Sequence, residues 1–278
     1  MLEIGKVNNL EVVKEVDFGL YLDGGHEFGE ILLPARYVPQ DLNVGDRADV
    51  FIYTDSEDRL IATTEKPYAM VGEFAYLEVV AVNEHGAFLD WGLMKDLLLP
   101  FNEQKTRLDK GDWRTVRVFL DVQTNRVAAS SKINRFLDKT PAHYEPGQEV
   151  DLLICNRTEL GYRAIINNAH WGLILAHEVF ENLKGGTRRT GFIKAIREDG
   201  KIDLSLNPPG YVKVGDVSSE ILAMLKAQGG FLALTDKTAP EVIYGLLGVS
   251  KKTFKKALGA LFKDRLIMIE ETGIRLIS

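Results

Sequence analysis

Residues able to do acid–base, nucleophilic or metal chemistry are few in this 278-residue chain, which has five histidines and one cysteine. His26, His85, His143, His170 and His177 are scattered, and the step from His170 to His177 is not a usual zinc-ligand spacing on a strand or helix. DGGHE at 23–27 sets a histidine between acids, but it occupies a turn between two β-like runs. The related DWGLM at 90–94 lacks both the histidine and the second acid. KGGT at 184–187 is too short for a phosphate-binding loop. Cys155 lies inside a β-like run and reads as a small core residue. With no second cysteine it makes neither an internal disulfide nor a cysteine zinc site, which fits a reducing compartment. Catalysis needs such groups with positioned partners, so the reading is no enzyme, no cofactor and no metal.

Positive charge is the other chemistry on offer. The net charge of −6 argues against a protein dedicated to coating nucleic acid, but the charges are unevenly placed. Residues 1–70 hold 6 basic and 14 acidic side chains, 71–140 hold 10 and 10, 141–210 hold 8 and 9, and 211–278 hold 10 and 7. A phosphate-binding surface therefore belongs to the later segments. Lys184, Arg188, Arg189, Lys194 and Arg197 fall in one β-region, and arginine can stack on bases as well as pair with phosphate. On a helical wheel from residue 251, Lys251, Lys252, Lys255, Lys256 and Lys263 share one face, opposite Phe254, Ala257, Leu258 and Leu261. Such a face is ordinary for a surface helix and equally suited to phosphate.

The elements that must carry these residues are repeated. Gly5, Gly72 and Gly147 each precede another glycine, Gly19, Gly86 and Gly161, by 14 residues, with a β-like run between. ILLP at 31–34 matches LLLP at 97–100, and GLILAHE at 172–178 takes that place in a third copy, with Ala176 where the proline stood. Gly45-Asp46 matches Gly111-Asp112, and Gly185-Gly186 stands in for them. A period of 66 to 67 and then about 75 residues suits a small closed β-domain of about five strands, the Greek-key barrel called the OB-fold. No run of apolar residues reaches the ~18 to 20 that span a bilayer, and the start has no signal-peptide pattern, so a cytosolic protein is expected.

After NPPGYVKVGD at 207–216 the period changes from two to about 3.6, which marks a domain boundary. SSEILAMLKAQGG reads as a first helix, TAPEVIYGLLG as a second capped by Thr238, and VSKKTFKKALGALFKDRL as a third capped by Ser250 with Val249 stapled onto Phe254. LIMIEETGIRL reads as a hairpin. Three helices and a hairpin are the order of a winged helix, whose third helix can enter a DNA groove. Glu270 and Glu271 at the hairpin tip would repel a phosphate backbone.

The order glycine, β-run, FGLYL or HGAFL, GxLLP-like strand, Gly-Asp step and closing AxSK or LSL strand resembles the S1 RNA-binding domain. The likeness covers residues 1 to about 210 in three copies, the third degenerate. With the C-terminal segment, the chain resembles the bacterial conserved virulence factor B family. The expected fold is mostly β, with three tandem S1/OB barrels at 1–70, 71–140 and 141–210 and a winged helix at 211–278. The resemblance places the base-stacking pair just before the motif glycine and two residues after it. Those positions are Phe18 and Tyr21, then His85 and Phe88, then Leu160 and Arg163. The histidine that S1 domains commonly carry in the next strand is replaced by Leu32, Leu98 and Leu175.

Aromatic content and charge point to different repeats, since Phe18 and Tyr21 sit in the most acidic part of the chain. The expectation is single-stranded RNA across the third repeat and the winged helix, assisted by His85, Phe88, Arg114 and Arg117. The first repeat then acts as a spacer or protein contact. The function expected is post-transcriptional control with loose, salt-dependent specificity. Alternatives are a DNA-binding regulator using the winged helix, and an adaptor that binds the ribosome or another protein.

Overall fold

Short runs that alternate apolar and polar residues, punctuated by glycine, set the strands of the computed structural model, which describes residues 2–176, 179, 183–208 and 214–277. His177 and residues 209–213 of the linker lie outside the described residues. Two compact units divide the chain, Met1–Leu206 and Asn207–Ser278.

In the first unit, strands β1 (Val7–Val16), β2 (Gly19–Asp23), β3 (Glu30–Pro34), β4 (Arg47–Thr54) and β5 (Leu60–Thr63) close into a barrel in the order β1-β2-β3-β5-β4, with a one-turn helix α1 (Gly25–Phe28) after β2. Strands β6 (Phe74–Val82), β7 (Gly86–Asp90), β8 (Leu97–Pro100), β9 (Trp113–Asp121) and β10 (Arg126–Ser130) repeat the arrangement as a sheet ordered β10-β9-β6-β7-β8. Its end strands β8 and β10 lie side by side, without the parallel pairing that closes the first barrel through Leu32 and Ile61. Strands β11 (Glu149–Arg157), β12 (Gly161–Ile166), β13 (His170–Leu175), β14 (Arg188–Ile196) and β15 (Ile202–Ser205) close a third barrel in the order of the first.

The three copies share their bulges and glycine turns. A bulge interrupts the first strand of each between Val12 and Lys14, Val79 and Ala81, and Ile154 and Asn156. Gly19, Gly86 and Gly161 hold φ of +152°, +155° and +152°. A Cβ there would lie 2.2, 2.3 and 2.0 Å from the carbonyl oxygens of Leu33, Leu99 and Ile174. Only glycine fits such an approach.

Pairing also corrects the alignment of the third copy. Gly161 pairs with Leu175 as Gly19 pairs with Pro34, so Leu175 stands in the proline's place and Leu173 in that of Leu32 and Leu98. Gly186 N donates to Ile154 O as Gly45 N donates to Val12 O, which makes Gly186-Thr187 the counterpart of Gly45-Asp46.

Hydrophobic contacts fuse the repeats. Phe51 and Tyr53 of β4 pack edge-on against Trp91, at 5.6 and 6.3 Å between ring centroids. Burial pushes the Tyr53 hydroxyl up to about 12. Lys95 donates from Nζ to Thr54 O at 2.9 Å and Asp55 O at 2.6 Å, and burial lowers its pKa. Between the second and third repeats, Phe74, Leu137, Leu153, Cys155 and Ile165 share one buried cluster.

The second unit contains α2 (Val214–Ala227), β16 (Phe231–Leu232), α3 (Pro240–Leu247), α4 (Lys251–Lys263), β17 (Ile267–Ile269) and β18 (Ile274–Leu276). Its sheet is ordered β16-β18-β17, and its core joins Ile221 and Leu225 to Ile243, Phe254, Leu258 and Leu261. Ser250 caps α4 by accepting from Thr253 N, and Val249 packs on the core that contains Phe254. Thr238 does not cap α3. Ala239 holds the cap position with Pro240 following, while the Thr238 hydroxyl accepts from Thr235 N at 2.8 Å inside the preceding turn.

Candidate nucleic-acid interface

The positive φ of Gly19 turns two residues three apart, Phe18 and Tyr21, toward one surface, which a regular strand would not do. Phe18 ends the turn before β2 and is 58% exposed, so it does not fill the barrel core. Its carbonyl accepts from Ala35 N at 2.9 Å, which fixes the backbone under the ring. The Phe18 and Tyr21 rings meet edge to face, 6.4 Å apart at 83°. Lys14, the register partner of Tyr21, places Nζ 5.6 Å from the Tyr21 centroid.

The later copies depart from this arrangement in steps. His85 is exposed, 3.8 Å from the Glu84 carboxylate, and Phe88 is half-buried with Ala81 where Lys14 stands in the first copy. Leu160 is exposed, and Arg163 replaces the second ring. Arg163 has a partner that no sequence pattern indicated, Trp171 of β13, with the guanidinium carbon 3.7 Å from the ring centroid.

The basic residues expected in the third repeat divide by what they touch. Arg188 donates to the backbone carbonyl of Phe74, across the junction with the second repeat. Arg197 is bound to both carboxylate oxygens of Asp203, at 2.8 and 2.7 Å, and that hydrogen bond raises its pKa. Lys184 and Lys194 are exposed, and Arg189 is half-buried. In the second repeat, Arg117 is held over the rings of Phe74 and Phe136, at 4.8 and 5.3 Å, and burial lowers its pKa. It braces the junction of the second and third repeats. Arg114 is half-buried, and its Nε is buried with no hydrogen-bond partner.

On α4, Lys252, Lys255 and Lys256 are exposed and Lys251 half-buried, opposite the buried Phe254, Ala257, Leu258 and Leu261. Lys255 reaches Asp236 at 3.4 Å. At the hairpin, Glu270 is bound by Arg275 Nε at 2.6 Å, which neutralises one of the two tip carboxylates and raises the Arg275 pKa.

Groups with catalytic potential have structural positions. His170 is buried between the Tyr144 hydroxyl at Nδ1 and Thr140 O at Nε2, both at 2.8 Å. Burial pushes the Cys155 thiol up to about 11, against thiolate chemistry. Among the described residues, no three His, Cys, Asp or Glu side chains gather where a metal could bind, and no helix is long and apolar enough to cross a membrane.

Tandem OB-type barrels, followed by a winged helix, define a protein built from nucleic-acid-binding domains. Residues 4–65 match the S1 domain model, and residues 219–276 match the CvfB-like winged helix domain. Over nearly its full length the chain is similar to conserved virulence factor B proteins. It is 24% identical over 286 residues to conserved virulence factor B of Staphylococcus aureus (strain USA300), covering 98% of this chain and 94% of that protein. It is 29% identical over 275 residues to the uncharacterized protein YitL of Bacillus subtilis (strain 168), covering 94% of this chain and 89% of that one. A crystal structure of a multidomain protein with nucleic acid binding domains from Streptococcus pneumoniae is 25% identical and covers 99% of this chain and 98% of that chain, with a TM-score of 0.43.

Proposed function

We propose that the protein is a non-catalytic, cytoplasmic RNA-binding protein that engages single-stranded RNA and acts in post-transcriptional regulation. The observation that carries this reading is the edge-to-face pair of exposed Phe18 and half-buried Tyr21 beside Lys14. Rings on a barrel face can stack only on bases that are open, as in a single strand, and each stack contributes ~1 to 3 kcal/mol. Duplex bases are already stacked on one another. The module boundaries we assign are 1–70, 71–140, 141–210 and 211–278.

Charge divides the work between repeats. Because Phe18 is exposed rather than packed in the core, the acidic first repeat, expected from its charge to be a spacer or protein contact, is given the stacking role, while phosphate contacts come from the basic side chains of later segments, including Lys184, Arg189 and Lys194 and the α4 residues Lys251, Lys252, Lys255 and Lys256. That relatives are named virulence factors is compatible with a regulatory role. Filter binding of a labelled single-stranded RNA tests the platform. Phe18→Ala with Tyr21→Ala is expected to weaken binding at least about tenfold, the loss of one to two stacks. Unchanged affinity in the folded double variant would remove the platform from the account.

A further inference from the structure

The third repeat has no aromatic pair of its own beside Gly161, yet its counterpart surface is not bare. Arg163 and Trp171 form one wall of a groove of about 600 Å³ whose other wall is the second repeat. That volume is within the range of ligand-binding clefts. On the opposite wall Trp113, 50% exposed, is stacked on Tyr76 at 5.4 Å and 26°. Tyr76 is backed in turn by the third repeat, because a Cβ added at Gly186 would lie 2.9 Å from its ring. The lack of a side chain at Gly186 thus lets the two repeats close on Tyr76 and hold Trp113 at the groove.

The groove is lined by five basic side chains and no carboxylate. Lys105, Lys132 and Arg135 stand at its exposed edge. Arg135 is bound to Glu103 at 3.1 Å, so its charge is offset. Arg114 lies deeper, and its buried Nε lacks a hydrogen-bond partner within the protein. Indole faces for bases and unneutralised cations for phosphates are the two requirements of a single-stranded nucleic-acid site.

We infer that this groove is a composite site for a single-stranded nucleic-acid segment, with a base stacked on Trp113 of the second repeat and the backbone held by Arg114 and Arg163 from the two walls. The assignment rests on the proposed single-strand binding, but it concerns a different surface from Phe18 and Tyr21. It gives the third repeat a stacking platform supplied by its neighbour and by Trp171. RNA and single-stranded DNA share the chemistry the groove requires, so both serve as probes.

The test uses the full chain and its own fluorescence. Of the three tryptophans, Trp91 is buried at the first junction, while Trp113 and Trp171 line the groove. Titration with a 12-nucleotide RNA and the matching single-stranded DNA is expected to quench tryptophan emission. Trp113→Ala should lower affinity about tenfold and Trp113→Phe should largely restore it, since a ring is kept. Arg163→Gln should weaken binding and flatten its salt dependence. Preferential RNA binding would assign the ribose hydroxyl a part in recognition, and equal binding would assign the groove to bases and phosphates alone. If the wild-type protein binds RNA while Trp113→Ala and Arg163→Gln bind it equally well, the groove assignment is overturned and the single-strand reading stands. If the wild-type protein binds neither probe at low salt, both fall.

Discussion

Arg163 sits over Trp171, its guanidinium carbon 3.7 Å from the ring centroid, at the position where the first repeat has Tyr21. A cation over an indole is worth about 0.5 to 2 kcal/mol depending on its desolvation, and this pair is half-buried. Arg163→Leu is therefore expected to lower unfolding stability by about 1 kcal/mol in urea. The same change should reduce the slope of log affinity against log salt by about 0.7, the contribution of one phosphate contact on a single strand. Loss of stability without a change in slope would make Arg163 a purely structural residue.

Gly161 tests the barrel itself. A Cβ at this position would lie 2.0 Å from Ile174 O, with φ at +152°, and neither backbone can yield without breaking the β12–β13 pairing. Gly161→Ala should destabilise the first unit by on the order of 3 kcal/mol. Gly200→Ala, at φ +78° with open space around it, should cost only about 1 kcal/mol. Comparable losses at the two sites would show that the close approach at Gly161 is relieved at little cost.

Cys155 reports on the junction of the second and third repeats through pH. Burial raises its thiol from the ordinary 9.0 to about 11, so the unfolded chain loses this proton at lower pH than the folded one. The sign follows directly, since between those values the folded state binds more protons and stability falls as pH rises. Stability should be fully present below about pH 9 and decline toward pH 11, by about 2 kcal/mol from this group. Cys155→Ala should remove that part of the decline in urea midpoints measured across the range. An unchanged alkaline slope would assign it to other groups, such as the buried Tyr53.

The repeat was legible because its turns need glycine for steric reasons, and glycine spacing survives when side chains diverge. Gly19, Gly86 and Gly161 mark equivalent turns in all three copies. The register of the third copy was not legible, since Leu175 and Ala176 are both apolar and only the pairing of Gly161 distinguishes them. β16, with two residues, is too short to show an alternating pattern. Thr238 and Ser250 looked equivalent as caps, but the Thr238 hydroxyl is used by the Thr235 turn. Trp113 and Trp171 carried no signal because their setting depends on contacts between repeats, which local periodicity does not encode. Arg117 and Arg188 looked available for phosphate for the same reason, and both brace the second repeat against the third.

The most direct measurement is a titration of the full chain with one labelled single-stranded RNA and with duplex DNA of matching sequence, each at 50 and 200 mM salt. Tighter binding to the RNA is expected, weakening on the order of a hundredfold between the two salt concentrations if about five phosphates are contacted. Tighter binding to the duplex, lost when Lys251, Lys252, Lys255 and Lys256 are replaced by alanine, would contradict it and assign the protein to DNA through α4.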